Sequence, residues 1–220
     1  METDAWNAAA HDWVERIREG MGGRVHAHDA SIYELLPPPR GLTLDVGCGE
    51  GRLVRELAGR GYDVVGVDAS EALITEARAA DRSGRYEVAS IDALPFDDGA
   101  IELTVCVNVL PHIHDLHAAA AELARVIAPA ATLLIGTLHP VAQAGTYDEE
   151  AGELRIRDYY DREREAVALG EHTVHHERRT IEEYLRTLLG AGFVLVDLRE
   201  VPGSTGTMPL YLDLVLVRQD

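Results

Sequence analysis

Lysine is missing from this sequence: all 20 basic residues are arginine. That absence removes a Schiff-base lysine, the lysine of a phosphate-binding P-loop and the strand lysine of a protein kinase. Cysteine is scarce too. Cys48 and Cys106 are too few and too far apart for a disulfide framework or a four-thiolate metal site, and they read as small apolar residues. Basic charge is short, with 20 arginines against 38 acidic residues and a net charge of -18. Such a field repels a phosphate backbone unless one face is locally basic, so a small-molecule partner is expected and a nucleic acid is not. No apolar run is long enough for a membrane: the richest, Ala118 to Leu138, is interrupted by Glu122, Arg125 and Pro129. The acidic METDAWN start lacks the basic region and apolar core of a signal peptide. A cytoplasmic protein, monomeric or homodimeric, is expected, and its 220 residues without an obvious linker predict one domain.

What is present is an alternation. Between about residues 41 and 138, short apolar runs alternate with amphipathic stretches, as in repeated strand-helix units of a parallel sheet. Candidate strands are Leu42 to Val46, Val64 to Asp68, Tyr86 to Ala89, Leu103 to Val107 and Thr132 to Thr137. Leu53, Val54 and Leu57 share one helical face ahead of a stop at Gly61, and Ser70 is a plausible N-cap for the next helix. A helix from about Ile181 to Leu189 then precedes two apolar runs, Phe193 to Leu198 and Leu210 to Val217, whose Pro/Gly/Ser-rich connection suits an antiparallel hairpin. Residues 1–36 read as one or two helices closed by Pro37-Pro38-Pro39. Residues 143–179 break the alternation and read as an insertion over one end of the sheet.

The segment LDVGCGEGR, residues 44 to 52, ends a strand with Gly47, Gly49 and Gly51 and places Asp45 in the apolar approach. A glycine turn between strand and helix presents bare backbone where open α/β sheets bind ligands. The glycines are too compact for the dinucleotide pattern, Arg52 occupies its third glycine position, and a carboxylate beside a pyrophosphate is unfavourable. A nucleoside with a cationic amino acid tail fits better.

At these residues the sequence resembles the class I S-adenosylmethionine-dependent methyltransferases, closely over about residues 30 to 139. The resemblance implies a Rossmann-like, doubly wound α/β/α fold whose seven strands lie in the order 3-2-1-4-5-7-6, with strand 7 antiparallel. It implies that the backbone of Gly47, Cys48, Gly49 and Gly51 wraps the methionine part and ribose, with Asp45 nearby. In VVGVDAS, Asp68 would take both ribose hydroxyls, with Ala69 beside it. In SIDALPF, Asp92 would accept from the adenine amino group and Ala93 would offer backbone; in ELTVCVNVLPHIHD, Val107 and Asn108 would lie near the methionine ammonium and His112 near the methyl. One departure is visible: the family commonly shows Pro-Gly-Gly after the fourth helix, whereas Pro129 is followed by Ala130 and Ala131. Singly, the glycines could merely permit a tight turn and Asp68 could be a helix N-terminal acid.

Ten histidines raise a metal hypothesis at His112, His114 and Asp115 or at His172, His175 and His176, but separate loop histidines are more often solvated or substrate-facing, and no metal is expected. If the acceptor must lose a proton, a histidine suits the task. His112 and His139 are the catalytic candidates, with His176 behind them; His139 reads equally well as a strand-end cap. Trp6, His11 and Trp13 from a helical lid over residues 1–36, and Tyr147, Tyr159, Tyr160 and Arg178 from the insertion, could wall the acceptor pocket, although the tryptophans could equally staple the helix to the core. The expected function is methyl transfer from S-adenosylmethionine, leaving S-adenosylhomocysteine, to an O, N or C centre of a small molecule in specialised metabolism. Two alternatives stand beside it: transfer RNA modification through Arg155 to Arg164 and Arg178-Arg179, or a cofactor-binding regulator without turnover.

Overall fold

A computed structural model of the chain describes residues 2–19, 24–148, 153–156, 159–203, 206 and 208–219. Helices α1 (Glu2–Arg18) and α2 (Arg24–Leu35) lead into β1 (Leu42–Val46), α3 (Arg52–Gly59), β2 (Asp63–Asp68), α4 (Glu71–Ala80), β3 (Arg85–Val88), β4 (Ile101–Val107), α5 (Leu116–Val126) and β5 (Ile127–Leu138). After α6 (Pro140–Ala144) come two hairpins, β6 (Gly145–Asp148) with β7 (Glu153–Ile156) and β8 (Glu165–Leu169) with β9 (His172–His176). Helix α7 (Ile181–Gly190) and the strands β10 (Phe193–Pro202) and β11 (Pro209–Arg218) complete the fold. No helix among the described residues is long and apolar enough to cross a membrane.

The main sheet runs β3-β2-β1-β4-β5-β11-β10, and β11 is antiparallel to both of its neighbours. Since β10 and β11 are the sixth and seventh strands of this sheet, the expected order and its single reversed strand are found. The central strands are apolar on both faces because helices cover both. Leu44, Val65, Ile135 and Leu214 join one core with α5 and α7, whereas Val64, Leu103, Val105 and Leu134 join the other with Ile32 of α2 and with α3 and α4. The period of two along a strand therefore puts Asp45 of β1 and Asp213 of β11, each flanked by leucine or valine of the first core, on the α2/α3/α4 face.

Capping follows the sequence signals. Ser70 Oγ accepts from the Leu73 amide at 3.2 Å, and Thr180 caps α7 in the same way through Glu183. Strand β5 begins at Ile127, ahead of the expected Thr132, because Ile127 pairs with Ile101 before a register shift. In that irregular stretch Ala130 has φ 62, the left-handed conformation that suits the glycine expected there by resemblance.

The segment 143–179 consists of most of α6's last turn and the two hairpins rather than a single lobe. Each hairpin forms its own two-stranded sheet, and Leu169 and Val174 of the second are buried against Ala9 of α1. Residues 149–152 and 157–158 of the expected insertion, the side chain of Tyr147, and residues 1 and 20–23 of the expected lid lie outside the described residues.

Ala130 is exposed, so its backbone strain can be relieved without a packing loss. A left-handed alanine costs about 1–2 kcal/mol, partly offset in a glycine variant by the greater freedom of the unfolded chain. Ala130→Gly is therefore expected to raise stability by about 0.5–1 kcal/mol, read as a higher urea midpoint at unchanged slope.

Candidate active site

The chain leaves β1 through a turn fixed by two bonds, the amides of Gly47 and Cys48 donating to Val67 O at 2.7 and 2.9 Å. Gly47, Gly49 and Gly51 all have positive φ. A Cβ on Gly47 would stand 2.2 Å from Val109 Cγ2, and one on Gly51 would stand 2.6 Å from the Tyr86 ring, so these two glycines serve packing. Gly49 differs: the nearest atom to a Cβ there is Trp13 Nε1 at 3.7 Å, and the space above its backbone is open.

That space belongs to a cavity of about 650 Å³ along the carboxyl edge of the sheet. Asp45, Gly47, Cys48, Gly49, Asp68, Ala69, Asp92, Val107, Asn108 and His112 all line it, whereas Gly51, Ala93 and His139 do not. Asp68 holds the Gly49 amide on one carboxylate oxygen (2.9 Å) and the Ser70 amide on the other (2.8 Å). Burial raises its pKa, and those two amides oppose the rise. Asp92 is exposed at the rim, and the Ala93 amide donates to Ser90 O. The loop carrying them is tied down by Arg125, which donates to Phe96 O at 2.8 Å and Leu94 O at 3.1 Å, while Glu122 accepts from the Leu94 amide.

Two buried oxygens in the cavity wall, Asp45 Oδ2 and Asn108 Oδ1, have no partner among the described residues. Asn108 also sits at φ 59, its amide fixed on Gly136 O. Burial pushes the Asp45 carboxyl up to about 8, with Arg52 pulling it down and Asp68 adding to the rise. A carboxylate in that position is stabilised by a cation brought next to it. The Cys48 thiol is also pushed up by burial, which makes it a poor nucleophile.

Helix α1 roofs this cavity. Asn7 Oδ1 accepts from Ser70 Oγ and from the Ala72 amide, clipping α1 to the start of α4, and Ala10 and Val14 pack on Leu73. Trp13 meets Trp6 edge to face at 5.5 Å between centroids, Trp6 meets His112 at 4.8 Å, and His112 meets His176 at 4.7 Å. Both tryptophans and His176 line the cavity. His11 is exposed and paired with Glu15, Tyr160 is 79% exposed, Tyr159 Oη accepts from the Ile181 amide, and Arg178 faces Asp161 and Glu165. None of these four lines the cavity.

His112 lies in a 3-10 turn, Leu110–His112, that Arg179 clamps by donating to the carbonyls of Leu110, Ile113 and His114. Its Nδ1 is 3.2 Å from His175 O and donates there, which leaves Nε2 as the acceptor nitrogen. Burial, with His176 beside it, lowers its pKa to about 3, so the ring is neutral at ordinary pH. His139 caps α6: Nδ1 accepts from the Val141 amide at 3.1 Å and Nε2 faces Glu200 at 3.0 Å. Burial lowers its pKa against the pull of Glu200. Among the described residues no group of three histidine, cysteine or acidic side chains could hold a metal. The arginines weighed for a nucleic-acid patch are committed elsewhere, Arg155 to Asp148, Arg162 to Glu183, Arg164 to Glu177 and Arg179 to the clamp.

Sequence reasoning missed one constellation. His28 and Tyr211 line the cavity, their rings stacked at 3.9 Å, and His28 Nε2 lies 2.7 Å from Asp213 Oδ1. The residues are 185 positions apart and share no motif. The available signal was Asp213 itself, a carboxylate inside the apolar run LYLDLVLV.

Residues 44–135 match the family described as a methyltransferase domain. Among curated proteins, a malonyl-[acyl-carrier protein] O-methyltransferase of Salmonella typhimurium is 32% identical over 113 residues, 51% of this chain and 45% of that protein. A ubiquinone biosynthesis O-methyltransferase of Thiobacillus denitrificans is 33% identical over 106 residues, 46% of each chain. The matches thus span about half the length of these relatives. Among solved structures, an S-adenosylmethionine-dependent methyltransferase from Mesorhizobium loti superimposes with a TM-score of 0.73 at 23% identity, covering 87% of this chain and 98% of its own. Over residues 44–135 the chain thus resembles the methyltransferase domain family, and its fold is that of solved S-adenosylmethionine-dependent methyltransferases.

Two substitutions separate site from scaffold. Between the unfolded carboxyl pKa and about 8, folded Asp45 keeps a proton that the unfolded chain releases, so its contribution to stability is present at low pH and is lost as pH rises through about 8. Asp45→Asn is expected to show its largest gain in melting temperature over the native protein at about pH 9 and a smaller one at about pH 5. His139→Ala removes a helix cap and is expected to cost about 1 kcal/mol in urea denaturation while ligand affinity at the cavity stays unchanged.

Proposed function

We propose that this chain transfers a methyl group from S-adenosylmethionine to a nucleophile on a small molecule, leaving S-adenosylhomocysteine. The observation that carries the reading is the open backbone at Gly49 set beside the unpartnered Asp45 Oδ2. Bare backbone next to a buried carboxylate suits a cationic, phosphate-free nucleoside and disfavours a pyrophosphate. In this reading Asp68 holds the ribose hydroxyls, Asp92 takes the adenine amino group at the rim, Gly47, Cys48 and Gly49 lie along the tail with Ala69 and Val107 in the wall, and Asp45 with Asn108 receives the ammonium. The expected contribution of Ala93 reduces to its carbonyl, because its amide is engaged by Ser90.

When bound, the cofactor supplies an electrophilic methyl on a sulfonium. The chain's own part is alignment and exclusion of water. Trp13 closes over Gly49, and Trp6, His112 and His176 form one wall of the volume left for the acceptor. A neutral His112 positions an acceptor through Nε2 but is a weak base at neutral pH. His139, outside the cavity, reads here as the cap of α6. Residues 1–220 act in this reading as one domain, with residues 1–36 as its lid and the β8–β9 half of the 143–179 segment bordering the acceptor. The net charge of -18 favours a free acceptor, in specialised metabolism, over one carried on an acidic protein, and the committed arginines disfavour transfer RNA. Volume beyond the nucleoside end favours turnover over a purely regulatory role.

Isothermal titration with S-adenosylmethionine, S-adenosylhomocysteine and NAD tests the reading. Both sulfur nucleosides should bind and NAD should not; tight NAD binding with neither of the others would overturn it. Gly49→Val should lower nucleoside affinity by about a hundredfold, roughly 2.7 kcal/mol, by filling the space above the turn.

A further inference from the structure

We propose that His28, held by Asp213, is the catalytic base that removes the acceptor's proton, and that the acceptor accordingly presents a hydroxyl of phenol or enol type to Nδ1 of His28. This rests on the methyl-transfer reading above. The position comes first. A Cβ on Gly136 of β5 would stand 2.7 Å from His28 Nε2, and the Gly136 carbonyl accepts the Asn108 amide. His28 therefore stands over β5 and β11, on the far side of Asn108 from the nucleoside end marked by Asp68 and Asp92.

The bonding comes second. Asp213 is fully buried, and both of its oxygens are used: Oδ1 lies 2.7 Å from His28 Nε2 and Oδ2 accepts from Ser31 Oγ at 2.6 Å. A carboxylate so placed fixes the proton of His28 on Nε2 and leaves a lone pair on Nδ1. That Nδ1 is buried in a residue 1% exposed, and it has no partner among the described residues. The Tyr211 ring, stacked at an interplanar angle of 9°, fixes the plane of the imidazole. Asp29, one residue along α2, is paired with Arg52.

The arrangement differs from His112, whose Nδ1 donates to a carbonyl and which has no carboxylate behind it to stabilise an imidazolium. In the step, the acceptor O–H bond breaks and its proton forms an N–H bond at His28 Nδ1. The freed oxygen pair forms the new O–C bond as the methyl carbon's bond to sulfur breaks, and sulfur keeps that pair as a thioether. The imidazolium, paired with Asp213, later returns its proton to solvent. Asp213 and Ser31 are positioning residues.

The test uses the full chain saturated with S-adenosylhomocysteine, whose binding is first measured by titration, and 4-nitrophenol as a hydroxyl probe that changes colour on ionisation. The native protein should bind the probe largely ionised below the pH at which it ionises in water. H28Q and D213N should keep S-adenosylhomocysteine affinity and lower the ratio of ionised to neutral probe about tenfold, one unit of proton affinity. Nitrogen NMR of histidine-labelled native protein supplies a reading independent of how the variants fold: His28 should carry its proton on Nε2, and its Nδ1 resonance should move when the probe is added. An Nδ1–H tautomer, an unmoved Nδ1 resonance, absence of probe binding, or equal ionisation in native protein and H28Q would overturn the proposal. Failure of S-adenosylhomocysteine to bind the native protein would overturn the methyl-transfer reading beneath it.

Discussion

Val67 O accepts two amide hydrogens, from Gly47 and Cys48, and this double bond between β1 and β2 fixes where the chain leaves the sheet. From that point the turn has to pass within contact distance of Val109 and Tyr86, which leaves no room for a side chain at Gly47 or Gly51. Held there, the backbone of Gly49 is presented to the cavity, its amide donates to Asp68, and α3 starts at Arg52 with Gly51 as its cap. The parts of the site thus depend on one another: Asp68 is oriented by the turn, and the turn is anchored on the strand that ends in Asp68.

The sheet's apolar rule is broken at two buried positions beside the cavity. Asp45 and Asp213 occupy positions on one face where a parallel sheet ordinarily buries valine or leucine, and each costs desolvation. They are handled differently. Asp213 has both oxygens filled by His28 and Ser31, whereas Asp45 keeps an oxygen without a partner. One carboxylate is satisfied on both oxygens, which fixes geometry; the other is left incomplete, which favours a ligand of opposite charge. Both face the layer formed by α2, α3 and α4, so the helices that bury the sheet also deliver His28 and Arg52 to the cavity.

Local pattern carried most of the fold. The strand-helix alternation, the Ser70 cap, the glycine turn and the terminal hairpin are each set by neighbours within a few residues, whereas the strand order came from the resemblance, with which the hairpin agrees. The same locality limited the site. His112 was legible because it follows a strand in a recognisable segment, but its place in a run of four rings depends on α1 and β9, which are distant in sequence. His139 looked equally well placed at the carboxyl edge, and only the direction of its ring, turned onto Val141 and Glu200, takes it off the cavity wall. His28 was invisible because a helix of low amphipathic contrast gives no local reason to single out one histidine, and Asp213 lies 185 positions away. The 143–179 segment was read as one insertion since charge density marks surface without distinguishing a hairpin that packs on α1 from one that does not.

The tryptophans give the molecule an optical property. The sequence holds two, Trp6 and Trp13, and both stand in the wall of the same cavity. Indole emission from this protein therefore has no background from elsewhere in the fold: the whole signal comes from the roof over Gly49. With the indoles coupled edge to face at 5.5 Å and one of them against His112, lifting α1 or filling the space beneath it changes the polarity around both indoles at once. The indole fluorescence of the chain, excited apart from its eight tyrosines, is in effect a gauge of that one compartment.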